Sequence, residues 1–403
     1  MHIRQLVAIT ALIGALLTIP RATAAPQREA ILEGRAVLPA QTFAPGPVSG
    51  TLLGSTPING IAVPFARQPV QGVSAVLDAG DGSFWIMEDN GYGAKNNSAD
   101  FLLRMYRVRP DFETARGGSG RVAVGVFIQL RDPDHRVPFA IVQDGTPDRL
   151  LTGADFDIES VRRDRNGDLW FGDEFGPFLL HTDDTGRVLE APIPLPGVQS
   201  PDKPTLGSQT PNLPRSRGFE GMAIAQNRKT LYPMLEGALT TDPDQRRRLI
   251  SEFDLTRKQY TGVTYQYHVE AAENSIGDFT ALDQYRFLVI ERDGAQGAAA
   301  HLKRIYQVDL RQVDAQGFLV KQELVDLLNI RDPHRISLPG RPGDIGLGDP
   351  FQMPFVTIES VLPLNDHRIL VINDNNFPFS TGRNPTLPDD TEFIIIRLQP
   401  AGW

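Results

Sequence analysis

The sequence predicts an all-β fold: a single β-propeller of about six blades, within a range of about five to seven, with long inter-blade loops. Three observations carry this. One phrase recurs five times, each copy reads as a β-hairpin, and 37 Gly and 32 Pro in 403 residues exceed the ~12% these two average together, which favours turns over helices.

In chain order, the first element is a leader. Met1-His2-Ile3-Arg4 precedes an apolar run from Leu6 to Ile19 and the small residues Ala22-Thr23-Ala24-Ala25, the three parts of a secretory signal peptide. Residues 1–25 are therefore read as the signal and 26–403 as the propeller domain. The apolar run falls short of the ~20 residues a membrane span needs, so the mature protein is expected to be periplasmic or secreted, with no stable membrane span.

The repeats follow. They are GVSAVLDAGDGSFWIMEDNG from Gly72, DIESVRRDRNGDLWFGDEFG from Asp157, GFEGMAIAQNRKTLYPMLEG from Gly218, GDFTALDQYRFLVIERDG from Gly277 and TIESVLPLNDHRILVINDNN from Thr357. Turn pairs such as Asp81-Gly82 and Asn166-Gly167 between apolar runs are strong hairpin signals. In register, Ser74, Glu159, Glu220, Asp278 and Glu359 open the units, and Glu88, Asp173, Glu236, Glu291 and Asp374 close them. Third strands are read at LLRMYRV from Leu102, FLLHTDD from Phe178, RLISEFDL from Arg248 and KRIYQVDL from Lys303, and three to four strands per unit make a propeller blade.

The units lie further apart than the ~40–45 residues of a standard blade. Residues 109–121, 131–152, 191–217 and 330–355, rich in Pro, Gly and charge, are read as rim loops. A further blade is expected where strands from residues 35–65 pair with the C-terminal EFIIIRL. Trp85 and Trp170, at matching places in two hairpins, are read as packing between blades. The phrases Asp132-Pro133-Asp134-His135 and Asp332-Pro333-His334-Arg335 mark either two loops that meet a ligand or a shared turn chemistry.

Composition removes several chemistries. The chain has no cysteine, which excludes disulfides, thiol nucleophiles and thiolate metal sites. It has no Gly-x-Ser-x-Gly elbow, so a serine triad of that type is not expected. The seven His are scattered without metal-pair spacing and are read as structural. The net charge of −9, about −11 once the signal is removed, argues against nucleic acid as a partner. A monomer acting on a small molecule is the expectation.

In a propeller the inner strands line a central channel, so acids at equivalent positions of successive blades form a ring. Repulsion within such a ring is relieved by a cation or by protonation. An all-oxygen set of Glu, Asp and Asn suits Ca²⁺, which takes six to eight oxygen ligands.

The segments DIESVRRDRNGDLWFGDEFGPFLLHTDDTGRVL and TIES…VINDNN resemble the phytase-like family described as having esterase-like activity, over about residues 50 to 395. The resemblance implies an exported propeller whose Glu and Asp residues act in phosphoester or carboxylic ester hydrolysis. On that reading Glu159, Glu220 and Glu359 hold Ca²⁺ at the channel mouth, with Asp173, Glu236 and Asp374 as further ligands. Glu174 is the general base, with Glu159 also at the reacting centre, and Arg162, Arg292 and Arg304 stabilise phosphate oxygens. Two alternatives stay open: a non-catalytic binding module with a structural Ca²⁺, and a lactonase-type propeller enzyme.

Overall fold

The computed structural model describes residues 29–365 and 367–399; the leader read at residues 1–25 lies outside them. β1 (Glu29–Leu38) is followed by the short pair β2 (Phe43–Ala44) and β3 (Gln68–Pro69). The first blade is β4 (Val73–Asp78), β5 (Phe84–Glu88), β6 (Arg104–Asp111) and β7 (Arg121–Gln129). The second is β8 (Ile158–Arg163), β9 (Leu169–Asp173), β10 (Phe178–Thr182) and β11 (Ile193–Pro194), and the third is β12 (Phe219–Ile224), β13 (Thr230–Leu235), β14 (Arg247–Asp254) and β15 (Gln259–His268). The fourth is β16 (Ser275–Ala281), β17 (Arg286–Arg292), β18 (Lys303–Val313) and β19 (Leu319–Asp326). Last come β20 (Ser360–Pro363), β21 (Arg368–Ile372) and β22 (Thr391–Gln399).

Each recurring phrase thus builds one inner hairpin, and four of the third strands form where the sequence places them. The expected meeting of the chain's two ends also occurs: β1 pairs antiparallel with β22 from Glu29↔Gln399 to Leu38↔Thr391. That pairing makes β1 the fourth strand of the last blade. No additional four-stranded sheet arises from residues 35–65, because β1 is already taken up there, and among the described residues the four-stranded blades number five, inside the expected range. One parallel contact, Val37↔Arg121, links the last blade to the first at their outer edges.

The inner strands β4, β8, β12, β16 and β20 pack in that order around the axis, and β20 returns to β4. A buried apolar cluster fills each seam. Trp170, Leu179, Phe219, Met222 and Phe253 lie between the second and third blades, and Leu288, Ile290, Ile369, Ile394 and Ile396 between the fourth and fifth. Each fully buried side chain of this size contributes about 1.5–3 kcal/mol, so the seams hold the ring together. Trp170 and Trp85 both pack in seams, as read from their matching positions.

Local chemistry explains the turns. Asp164 accepts the N–H groups of Asn166 (2.7 Å) and Asp168 (3.2 Å), and Gly167 takes φ +97°, a left-handed position that suits glycine. Asp132 accepts from the N–H of Arg136 and Val137, and Asp332 from those of Ile336 and Ser337, with His135 and Arg335 both at φ 55°. The two matching phrases therefore share a turn. Residues 109–121, read as a rim loop, are instead the ends of β6 and β7 with their connecting turn.

Candidate functional site

A β-bulge opens the inner strand of each of the first four blades. Pairing with the second strand shifts by one residue between Val73 and Ala75, Ile158 and Ser160, Phe219 and Gly221, and Ile276 and Asp278. The extra residues are Ser74, Glu159, Glu220 and Gly277, and Glu359 stands at the same place immediately before β20. A bulge leaves its extra residue out of the ladder and re-aims its side chain. The outcome is convergence: one oxygen from each of Glu159, Glu220 and Glu359 lies within 4.8 Å of the others, and Ser74 Oγ donates to Glu359 (3.1 Å).

The fourth blade differs from the sequence register. Gly277, not Asp278, occupies the opening position, and a Cβ there would lie 2.1 Å from the Ile358 carbonyl oxygen. Asp278 turns away to the Arg162 guanidinium (2.9 Å) and the Val361 N–H (3.0 Å).

The closing positions of the first, second and fourth blades are displaced by one residue, whereas Glu236 and Asp374 stand where the sequence places them. Asp89, Glu174 and Glu236 donate their N–H groups to the carbonyls of Gly72, Asp157 and Gly218 (2.8 Å each). Arg292, opposite Ser275, and Asp374, which accepts from Thr357 Oγ1 (2.9 Å), hold the matching places. The side chains one residue earlier are used elsewhere. Glu88 accepts the Gln71 N–H (2.9 Å), and Glu291 accepts from Tyr267, Asn274 and Lys321. Asp173, expected as a metal ligand, accepts the N–H groups of Asp157 (2.9 Å) and Gly176 (2.6 Å). It braces the turn that follows β9.

Glu174 joins two further groups whose oxygens converge within 4.8 Å, one with Asp157 and Glu159, the other with Glu220 and Glu236. All of these acids are buried. Burial, followed by neighbouring carboxylates, pushes Glu159, Glu174 and Glu220 well above their ordinary range and raises Asp89 and Asp157 too. Asp374 rises to about 7 by burial and by the nearby Asp89. Oδ1 of Asp157, Oε1 of Glu174 and Oε1 of Glu220 are buried without a hydrogen-bond donor. Buried carboxylates without donors are costly, and an all-oxygen set of this kind is what Ca²⁺ takes. The donor set therefore fits a hard divalent cation.

Two guanidiniums offset part of the charge. Arg292 Nη2 lies 2.7 Å from Glu359 Oε1, 3.5 Å from Glu220 and 3.6 Å from Glu236. Arg217 pairs with Glu236 and donates to Ser275 Oγ (2.9 Å). Of the three arginines expected at the site, only Arg292 is in the ring. Arg162 spans the channel to Asp278 and lines a cavity of about 350 Å³ with Arg163, Arg228 and Asp283 at the other ends of the inner strands. Arg304, on β18, pairs with Glu323 on the outer strand β19 (3.2 Å) and is not brought to the acids.

Asp157, Asp89 and Arg217 are site residues that the sequence reading left without a role. The signal for Asp157 is its place two residues before Glu159 in the DIES phrase. Asp89 was hidden by the slip that also displaced Glu88.

Comparison with known proteins adds the family. Residues 68–377 match the phytase-like family, described as "Esterase-like activity of phytase". The chain belongs to the phytase-like family. An uncharacterized secreted protein of Arthroderma benhamiae is 27% identical over 130 residues, spanning 28% of this chain and 25% of that relative's own length. Among solved structures, this phytase-like chain is similar to a luciferin-regenerating enzyme (12% identity, 93% and 97% of the two chains, TM-score 0.39). It is also similar to the PQQ-bound aldose sugar dehydrogenase of Streptomyces coelicolor (11% identity, 93% and 100%, TM-score 0.34). Scores this low carry no argument about chemistry. Among the described residues of this phytase-like protein, no helix is long and apolar enough to cross a membrane.

Proposed function

We propose that this protein is an exported, Ca²⁺-dependent hydrolase of phosphoesters or carboxylic esters, working at the acid ring of the channel. The observation that carries it is the set of overlapping carboxylate groups with buried oxygens that have no donor, at Asp157, Glu174 and Glu220. Membership of a family described by esterase-like activity supports the ester class, and the secreted relative supports export.

Glu159, Glu220 and Glu359 hold the ion, with Asp157, Glu236 and Asp374 around them. Bound Ca²⁺ supplies Lewis acidity toward an ester oxygen and a water. Glu174 is the carboxylate that would act as general base toward a water, because its Oε1 is oriented by no hydrogen bond and is free to accept. Arg292 offsets part of the ring's charge through Glu359, and its Nε, buried without an acceptor, is the donor proposed for a substrate oxygen. Arg162 acts on the fold, crossing the channel to Asp278.

The test is turnover of p-nitrophenyl phosphate, bis-p-nitrophenyl phosphate and p-nitrophenyl acetate by the mature protein, with Ca²⁺ and with chelator, beside a folded Glu159→Gln/Glu359→Gln variant. Calcium-dependent turnover that the variant loses supports the hydrolase. No turnover on any ester, with Ca²⁺ still raising the melting temperature, favours the binding module with a structural ion instead.

A further inference from the structure

We propose that the second blade carries a separate binding site for a divalent transition ion such as Zn²⁺, built from Asp164, Asp168 and His181 away from the acid ring. One oxygen of each Asp and a ring nitrogen of His181 lie within 4.8 Å of one another. They come from the β8–β9 turn and from β10, whose His181 lies opposite Trp170 of β9.

The orientation of His181 sets the argument. Its Nδ1 is 2.6 Å from Glu190 Oε1, which in turn meets Lys258 Nζ at 2.7 Å. In the tautomer whose Nδ1–H donates to the Glu190 carboxylate, the neutral ring turns an Nε2 lone pair inward. That Nε2 has no hydrogen-bond partner, the residue is 3% exposed, and Asp168 Oδ2 stands 3.6 Å away. A lone pair facing a carboxylate oxygen calls for a cation between them.

The remaining surroundings suit a metal. Carboxylate–histidine–metal arrays use an outer carboxylate to fix the imidazole, and Glu190 is in that place. Asp164 is oriented by the backbone N–H groups of Asn166 and Asp168 through Oδ1, leaving Oδ2 with a long contact from Trp170 Nε1 (3.3 Å). Trp170 stacks on His181 with centroids 3.9 Å apart and planes 13° apart, which fixes the ring in its slot. An imidazole donor beside carboxylates selects a transition ion over Ca²⁺. Ligand atoms around Zn²⁺ at ~2.0–2.1 Å stand about 3.3 Å apart, so the side chains close by at most about 1.5 Å, most easily at the partly exposed Asp168.

The stacked Trp170 is a built-in reporter. Ni²⁺ would be titrated into the chelator-treated full-length mature protein while tryptophan emission is read, with Zn²⁺ as competitor. Saturable quenching that Zn²⁺ reverses and millimolar Ca²⁺ does not is expected, and Trp170→Phe should abolish it. Asp168→Asn, at a partly exposed position, should fold and raise the apparent Kd at least tenfold. Glu190→Gln should raise it about 10- to 100-fold as a positioning residue. The Glu159→Gln/Glu359→Gln variant should quench like the wild type, which separates this site from the ring. Non-saturable quenching, an Asp168→Asn curve that overlays the wild type, or displacement by Ca²⁺ overturns the proposal.

Discussion

Arg292 reaches into a ring of acids and sits 2.7 Å from Glu359 while facing Glu220 and Glu236 at 3.5 and 3.6 Å. It comes from the same blade that places Gly277 where the second, third and fifth blades carry Glu159, Glu220 and Glu359. A blade without an opening acid thus delivers one of the ring's two guanidiniums, the other being Arg217.

Removing the Arg292 cation should be expensive. Breaking one partner of a buried ion pair costs about 3–5 kcal/mol, so Arg292→Gln should lose stability on that order in chelator. The loss should shrink when Ca²⁺ is added. Urea unfolding with and without Ca²⁺ checks both; a loss under about 1 kcal/mol would mean that Glu359 finds other partners.

Neutralising an acid should act the other way. Glu220→Gln removes a buried carboxyl crowded by Glu359, Glu236 and Glu174, so the chelated protein should melt a few degrees higher than the wild type. The upward shift in Tm caused by Ca²⁺ should fall. Thermal melts in chelator and in Ca²⁺ read the two effects separately, and a variant that melts lower in chelator would show that the acid is already satisfied.

Gly277 has no room for a side chain. Gly277→Ala would force its Cβ against the Ile358 carbonyl at 2.1 Å, pressing the fourth blade from the fifth. Overpacking of this kind costs about 1–3 kcal/mol. Gly294→Ala, with open space around its Cβ, is the control and should stay within about 0.5 kcal/mol of the wild type.

Glu392 predicts an acid sensitivity. Burial pushes its carboxyl up, but Arg35 and Arg383, at 2.9 and 2.8 Å, bring it down to about 2. A carboxylate whose folded pKa is depressed from ~4.3 stabilises the fold above that value and loses the contribution as pH falls toward 2. Wild type should therefore exceed Glu392→Gln by about 2–3 kcal/mol at pH 7, with the gap narrowing from about pH 4.5 downward. A gap that stays constant between pH 7 and pH 3 would remove the ion pairs as its source.

Much of this was legible beforehand. The phrase around Glu159 recurs around Glu220 and Glu359, and the three carboxylates do converge, because equivalent positions in blades share one axis. The third strand at Lys303 forms as read, and EFIIIRL does pair with an N-terminal strand, though with Glu29–Leu38 in the fifth blade and not with residues 35–65 in a further one. Hairpin periodicity and turn residues are local properties, and a chain carries them in its order of residues.

Other features were decided only by packing in three dimensions. A bulge adds one residue to one strand and leaves no mark in composition, yet it exchanged Asp278 for Gly277 and Glu88 for Asp89 at the channel. Arg162 and Arg304 belonged to the right blades, but strand direction sent the first across to Asp278 and the second to Glu323. His181 looked solitary in the sequence; pairing of β9 with β10 brought it to Trp170, Asp164 and Asp168. Sequence by itself determined which strands exist and which phrases are equivalent, since both rest on local periodicity. Which side chains share a site depended on register and on the closure of the ring, because a one-residue shift turns a side chain to the opposite face.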